Sequence, residues 1–342
     1  MLLETCSSCF TQNVGGGNGV GRRVLYNRGV VAIIIIMYLL AGKAYAGDDK
    51  KPDDAPPNKV LDCRYQQVSK FSDSETISDT FPTDDLFRPL LADPKQPQFF
   101  ALWQTTQSRL ERTNANIGSI GIGENVGFYT RRKGCNGWQI SLLTGIFAQF
   151  DLDTSNAELI NVDFNVGIPL TWRHGNWSAR LRFYQQSSHI GDEFLGAHPG
   201  FQSIGLQYEE VDMIVSYDFQ TWLRLYGGGA VLVNRQPSTI DRFTGQWGFE
   251  ARTPTPLGRS YVLGLLSNPI LFSPLLTADF KSVETQNWHI NTNLLMGFEM
   301  SRAGFLKRLR ILINYYHGYN PYGQFFYSQK TDSFGVGAYF MF

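Results

Sequence analysis

The chain has 342 residues, with 30 basic and 30 acidic side chains and no net formal charge. That balance gives no reason to expect nucleic acid or an anionic surface as the main partner. A slightly negative mean hydropathy excludes a bundle of membrane helices, while 14% aromatic residues and 34 glycines fit an all-β chain with many turns.

The chain opens with a leader. Arg22, Arg23 and Arg28 precede the apolar run Val30–Ala41, and Ala44-Tyr45-Ala46 follows. A positive region, about a dozen apolar residues and a small-x-small site are the parts of a secretory signal, expected over residues 1–46. An uncleaved anchor helix is the rival reading, but a bilayer span needs about 20 apolar residues. Residues 1–21 are unusual in a leader and fit a start codon placed too early. Gly15-Gly16-Gly17-Asn18-Gly19 has no strand before it, so it is no phosphate loop. Cys6 and Cys9 fall in the leader; Cys63 and Cys135 remain. In an oxidising periplasm these two are expected to form one disulfide, the alternative being two separate thiols.

Residues 47–98 read as an irregular periplasmic arm. Lys50–Pro57 has the composition of a tether. Phe81–Pro94 is richer in apolar groups and is expected to pack against the barrel mouth.

From Phe99 to Phe342 period-two alternation dominates. Phe164, Val166, Ile168, Leu170 and Trp172 alternate with Asp163, Asn165, Gly167, Pro169, Thr171 and Arg173. Trp288–Met300, Trp177–Tyr184, Val211–Phe219 and Arg308–Tyr315 repeat the pattern. Successive strand residues face opposite sides, so one face is apolar and the other polar. These runs of about 10 to 16 residues exceed the usual five or six of globular sheets. Their polar faces carry Asp163, Arg180, Arg182, Glu299 and Arg310 at mid-strand, which a barrel lumen accepts and lipid does not. The reading is an all-β antiparallel transmembrane barrel of about twelve strands, with ten or fourteen open. Strands are expected to start near Phe99, Gly118, Trp138, Glu158, Trp177, Glu210, Leu223, Gln246, Ile270, Asn287, Arg308 and Ser333. An even count puts both barrel ends in the periplasm. The Gly/Asn turns 133–137 and 174–176, with Trp138, Trp172, Trp177 and Trp222 beside them, then mark the periplasmic side. Residues 254–269 are too long for that side and are expected to form a plug or small helix. Gly227-Gly228-Gly229 marks a bulge or a close strand approach.

The last strand alternates Phe334, Val336, Ala338, Phe340 and Phe342. It resembles the C-terminal signature of bacterial outer-membrane barrels, in which a terminal aromatic, here Phe342, is read by the assembly machinery. Outer-membrane lipids are the other expected partner.

Two polar clusters carry the candidate chemistry. Ser187-Ser188-His189-Ile190-Gly191-Asp192-Glu193 ends the fifth strand, and His317–Phe326 ends the eleventh. Leu86–Pro94, Ser187–Glu193 and Gly318–Gln324 together resemble an uncharacterised family, a domain of unknown function among exported, outer-membrane-like bacterial proteins. The resemblance runs from about Phe81 to the end and implies location without an activity. Twelve-stranded outer-membrane enzymes that deacylate phospholipid or lipid A place a Ser or His system at the outer rim. On that pattern Ser188 or Ser187 is the nucleophile, His189 the base, and Asp192 or Glu193 the orienting acid. Asn320 or Gln324 would donate to an oxyanion. Adjacent strand residues diverge, so Ser187 rather than Ser188 shares a face with His189. The competing reading is a loop held by hydrogen bonds. Asp192, Glu193 and backbone carbonyls would also suit a Ca²⁺ ion. His289 is expected on the lumen face, His174 in a turn and His198 in a loop, without metal-ligand spacing. The lumen charges are expected to pair, with Tyr184, Tyr316 and Tyr339 partly filling the interior; a narrow channel is the remaining alternative.

Overall fold

The structure, a computed structural model, describes residues 75–108, 114–220, 222–253, 256–260, 270–302, 308–325 and 330–341. The expected leader, Cys63 and Phe342 lie outside these residues. The strands are β1 (Thr76–Thr80), β2 (Phe99–Ser108), β3 (Ala115–Lys133), β4 (Asn136–Asp151), β5 (Glu158–His174), β6 (Trp177–Ile190), β7 (Gln207–Phe219), β8 (Leu223–Gln236), β9 (Phe243–Arg252), β10 (Gly258–Ser260), β11 (Ile270–Val283), β12 (Ile290–Arg302), β13 (Arg308–Tyr319) and β14 (Lys330–Met341). One short helix, α1 (Asp192–Ala197), follows β6.

Each long strand pairs antiparallel with the next, and β14 pairs with β2, from Thr331↔Ser108 to Phe340↔Phe99. This closes a ring of twelve strands, β2 to β9 and β11 to β14. The side chains follow the alternation. On β5, Phe164, Val166, Ile168, Leu170 and Trp172 are exposed, while Asp163, Asn165, Thr171 and Arg173 between them are buried. Oily groups point outward and charges inward, the reverse of a water-soluble barrel. Each large apolar side chain left in water would forfeit roughly 1.5–3 kcal/mol, so such a wall matches hydrocarbon. The turns β3–β4 and β5–β6 hold Gly134 and Gly175 at φ 58° and 57°, the left-handed backbone that two-residue hairpins demand. Trp138, Trp172, Trp177 and Trp222 stand exposed beside the turns at this end.

One segment departs from expectation. β12 starts at Ile290 rather than Asn287, because Glu284–Gln286 form a 3₁₀ turn and Asn287 and Trp288 adopt positive φ. His289 therefore sits in the β11–β12 connection, with its ring against His317 and Tyr319, not on the lumen face. In the long β9–β11 connection, Gly258–Ser260 form β10 against Ile270–Phe272; the rest of the stretch expected to form a plug or small helix lies mostly outside the described residues.

The interior is filled instead by the arm. β1 pairs with Tyr129–Lys133 of β3, and β2 pairs with Ala115–Gly121 of the same strand. β1 and β2 thus occupy one strand position, and between them Phe81–Gln98 leaves the wall. The excursion goes beyond the mouth: Leu86, Phe87, Leu90, Leu91 and Ala92 are buried in the lumen. Leu91 and Ala92 join Phe100, Leu102, Phe147, Leu275, Leu295 and Leu312 in a small internal core. β3 makes room with glycines. A Cβ on Gly123 would lie 2.7 Å from Pro97 Cβ, and one on Gly127 would lie 2.6 Å from Pro82 Cγ.

Candidate functional site

The lumen is a charge-paired packing. Arg88 Nη2 donates to Asp218 Oδ1 at 2.5 Å, and Arg173 Nη2 donates to Asp218 Oδ2 at 3.0 Å. Arg224 donates to the carbonyls of Arg88 and Pro89 (3.1 and 3.3 Å) and to Glu250 (3.3 Å). Glu250 in turn accepts the Leu91 amide at 3.1 Å. Lys95 pairs with Asp163, Asp93 with Lys281 at 3.1 Å, and Arg132 with Asp84. Arg180 and Arg182 share Asp212, and Glu299 accepts from Arg252, Arg308 and Arg310. Thus the lumen charges form the paired network their mid-strand positions implied, and many of them hold the arm. Asp85 is pushed up to about 7 by burial, with Glu124 and Asp84 adding to the rise against hydrogen bonds from Asn125 and Gln139.

From the opposite mouth the β13–β14 loop folds inward. Tyr322 Oη donates to Pro94 O at 3.1 Å, meeting the tip of the arm. The Gly323 amide donates to Asp163 Oδ2 at 2.9 Å. Gln324 accepts from Ser203 Oγ and the Ile204 amide and donates to Ser188 O. Tyr184, Tyr316 and Tyr339 are buried. The two polar clusters of the sequence do meet, but through Gln324 and the Ser188 backbone, inside the wall. Asn320 donates to Gln149 at 3.4 Å and accepts from the Tyr322 amide. Asn320 and Gln324 are engaged in holding this loop. They lie across the wall from Ser187, so neither can serve it as an oxyanion donor.

On the outer face at the same end, Ser187 Oγ and His189 Nε2 are 2.9 Å apart. They meet because they are two residues apart on a regular strand, opposite Phe164 and Val162 of β5. Phe164 meets the His189 ring edge-on at 5.9 Å. Ser188 points inward, 3% exposed, and accepts from Gln186 Nε2; it cannot reach the imidazole. Asp192 and Glu193 are exposed on α1, and no hydrogen bond from either to His189 is seen among the described residues. Among the described residues this is a hydroxyl–imidazole pair that no carboxylate is seen to join. No cluster of three or more metal-ligating side chains forms among the described residues.

A second outward pair was missed. His317 Nδ1 lies 2.5 Å from Asp332 Oδ1 across the β13–β14 ladder. Only strand register brings these residues together, and alternation alone does not supply register. Of the remaining histidines, His174 ends β5 and stacks on Trp172, and His198 caps α1. Cys135 lies in the β3–β4 turn.

Fold and surface define the class: a closed, twelve-stranded antiparallel barrel of the outer-membrane type, with a filled lumen. The chain belongs to the protein family of unknown function DUF1207, which matches residues 46–342. Among solved structures, outer membrane phospholipase A from Escherichia coli is similar over 71% of this chain and 89% of its own, at 10% identity and a TM-score of 0.48. The Salmonella typhi outer membrane phospholipase dimer with bound calcium covers 73% and 94%, at 10% identity and a TM-score of 0.47. LpxR from Salmonella typhimurium covers 71% and 100%, at 10% identity and a TM-score of 0.35. No curated protein matches the sequence.

Proposed function

We propose that the protein resides in the bacterial outer membrane and hydrolyses an ester of an outer-leaflet lipid, with Ser187 as nucleophile and His189 as base. The observation that carries this is the Ser187–His189 hydrogen bond on the outward face. There a lipid ester can approach without entering the lumen. Both barrel ends lie with the β3–β4 turn, at the mouth opposite this pair. In this class that mouth is periplasmic, which puts Ser187 and His189 at the outer rim.

With the ring proton on Nδ1, Nε2 takes the Ser187 proton as Oγ bonds to the ester carbonyl carbon. The tetrahedral oxyanion collapses and the carbon–oxygen ester bond breaks. The leaving alcohol takes the proton from His189; a water molecule, deprotonated by the same Nε2, then bonds to the acyl carbon, the carbon–Oγ bond breaks to free the fatty acid, and the proton on Nε2 passes to Ser187 Oγ. The filled lumen opposes the channel reading. Export by the leader, a Cys63–Cys135 disulfide tying the arm to the β3–β4 turn, and assembly through Phe342 belong to the same proposal.

The test is acyl release from phospholipid and glycolipid in mixed micelles. Ser187→Ala and His189→Ala should each lower release at least about a hundredfold. No release by the unaltered protein, or release untouched by Ser187→Ala, refutes the assignment.

A further inference from the structure

The outer wall beside Ser187 breaks the oily pattern. Gln185 on β6, Gln207 and Glu209 on β7, and Asn234 and Gln236 on β8, with Ser238 beyond, line a groove of about 430 Å³ at this end of the wall, joined there by Tyr208 and Arg235 from the alternate face. The register places these residues side by side: Gln185↔Glu209, Gln207↔Gln236 and Glu209↔Asn234, with Ser187 directly opposite Gln207. Gln207 Nε2 donates to Gln236 Oε1 at 3.0 Å, so the amides form a ladder across the strands. Elsewhere this face presents side chains such as Met213 and Val233, both well exposed. Polar groups on an outward barrel face are costly in the hydrocarbon band and cheap near the interface, where water, headgroups or a ligand can meet them. Carboxamides both donate and accept, and hydroxyls on neighbouring carbons do the same. A phosphate offers only acceptors and would call for Arg or Lys clamps. The one guanidinium at the groove, Arg235, spends its Nε on Ile240 O.

We propose that this amide-lined groove binds the hydroxyl-rich headgroup of a glycolipid and thereby presents its ester to Ser187. The second half rests on the hydrolase reading; the first does not. The experiment is native mass spectrometry of the full-length Ser187→Ala barrel in detergent, offered digalactosyl diacylglycerol and phosphatidylglycerol in equal amounts. The sugar lipid should be retained at least about tenfold better, the equivalent of two or three amide hydrogen bonds. Gln207→Leu and Gln236→Leu should erase that preference while leaving the barrel's gel mobility unchanged. Equal retention of the two lipids, or a preference that survives both replacements, overturns the inference. Selective sugar-lipid retention without acyl release by the unaltered protein would leave the groove standing and retire the hydrolase alone.

Discussion

Asp218→Ala tests whether the arm is locked into the lumen by charge. Asp218 is 2% exposed and receives two guanidinium groups, Arg88 from the arm at 2.5 Å and Arg173 from β5 at 3.0 Å. Alanine removes the carboxylate both cations face, in a space where water cannot replace it. Breaking a buried ion pair costs about 3–5 kcal/mol. The Arg173 Nε bond to Leu86 O is untouched, so the lower half of that range applies. The loss is read from urea unfolding in detergent micelles, followed by tryptophan fluorescence, with Asp218→Asn as the milder control. A local signature accompanies it: trypsin should cut the arm after Lys95, which Gln96 follows, before the barrel unfolds. A variant within about 0.5 kcal/mol of the parent, the range of an ordinary surface change, with no new cleavage after Lys95, would refute the lock.

Other consequences are open to direct measurement. Because Asp85 titrates near 7 when docked, against about 3.9 free, the docked arm binds that proton more tightly. Its stability is therefore fullest at low pH and falls as pH rises toward 7. The protection of residues 82–98 against hydrogen exchange, taken relative to the intrinsic rate at each pH, should be lower at pH 8 than at pH 5, and Asp85→Asn should flatten the difference. Replacing Phe81–Phe99 by a seven-residue strand, to match positions 122–128 of β3, should empty the lumen and give planar-bilayer conductance steps that the parent lacks; a silent variant contradicts the plug. Gly123→Val and Gly127→Val drive a side chain into Pro97 and Pro82. Each should cost about 1–3 kcal/mol by overpacking, measured as a lower urea midpoint.

The wall was legible because its signal is local. Alternation reports which face each residue occupies, and the starts expected at Phe99, Glu158, Trp177, Leu223, Ile270 and Arg308 are where strands begin. Trp288 kept the alternating pattern while its backbone turned, so β12 was drawn too long. Ser187 and His189 were legible as a pair for the same local reason. The course of the arm was not. Leu86–Pro94 reads as a semi-apolar linker until Asp218, Glu250 and Asp163 are known to converge inside a ring. Those three come from separate strands, and their placement depends on closure rather than on neighbouring sequence. Likewise Asn320 and Gln324 share a loop with rim residues, yet the loop turns inward, and nothing in its composition sets that direction.

The split of one stave into β1 and β2 bears on assembly. The inserted segment is laid in from the side of the ring, so no chain end has to be threaded through a finished cylinder. The seam between the first and last strands lies next to the point where that segment re-enters the wall. Closing the seam around a vacant interior would leave Asp163, Asp218 and Glu250 without the arm's cations and amide. The docked insert and the closed ring therefore stabilise one another, the N-terminal segment supplying the partners that the inward charges of the wall would otherwise lack.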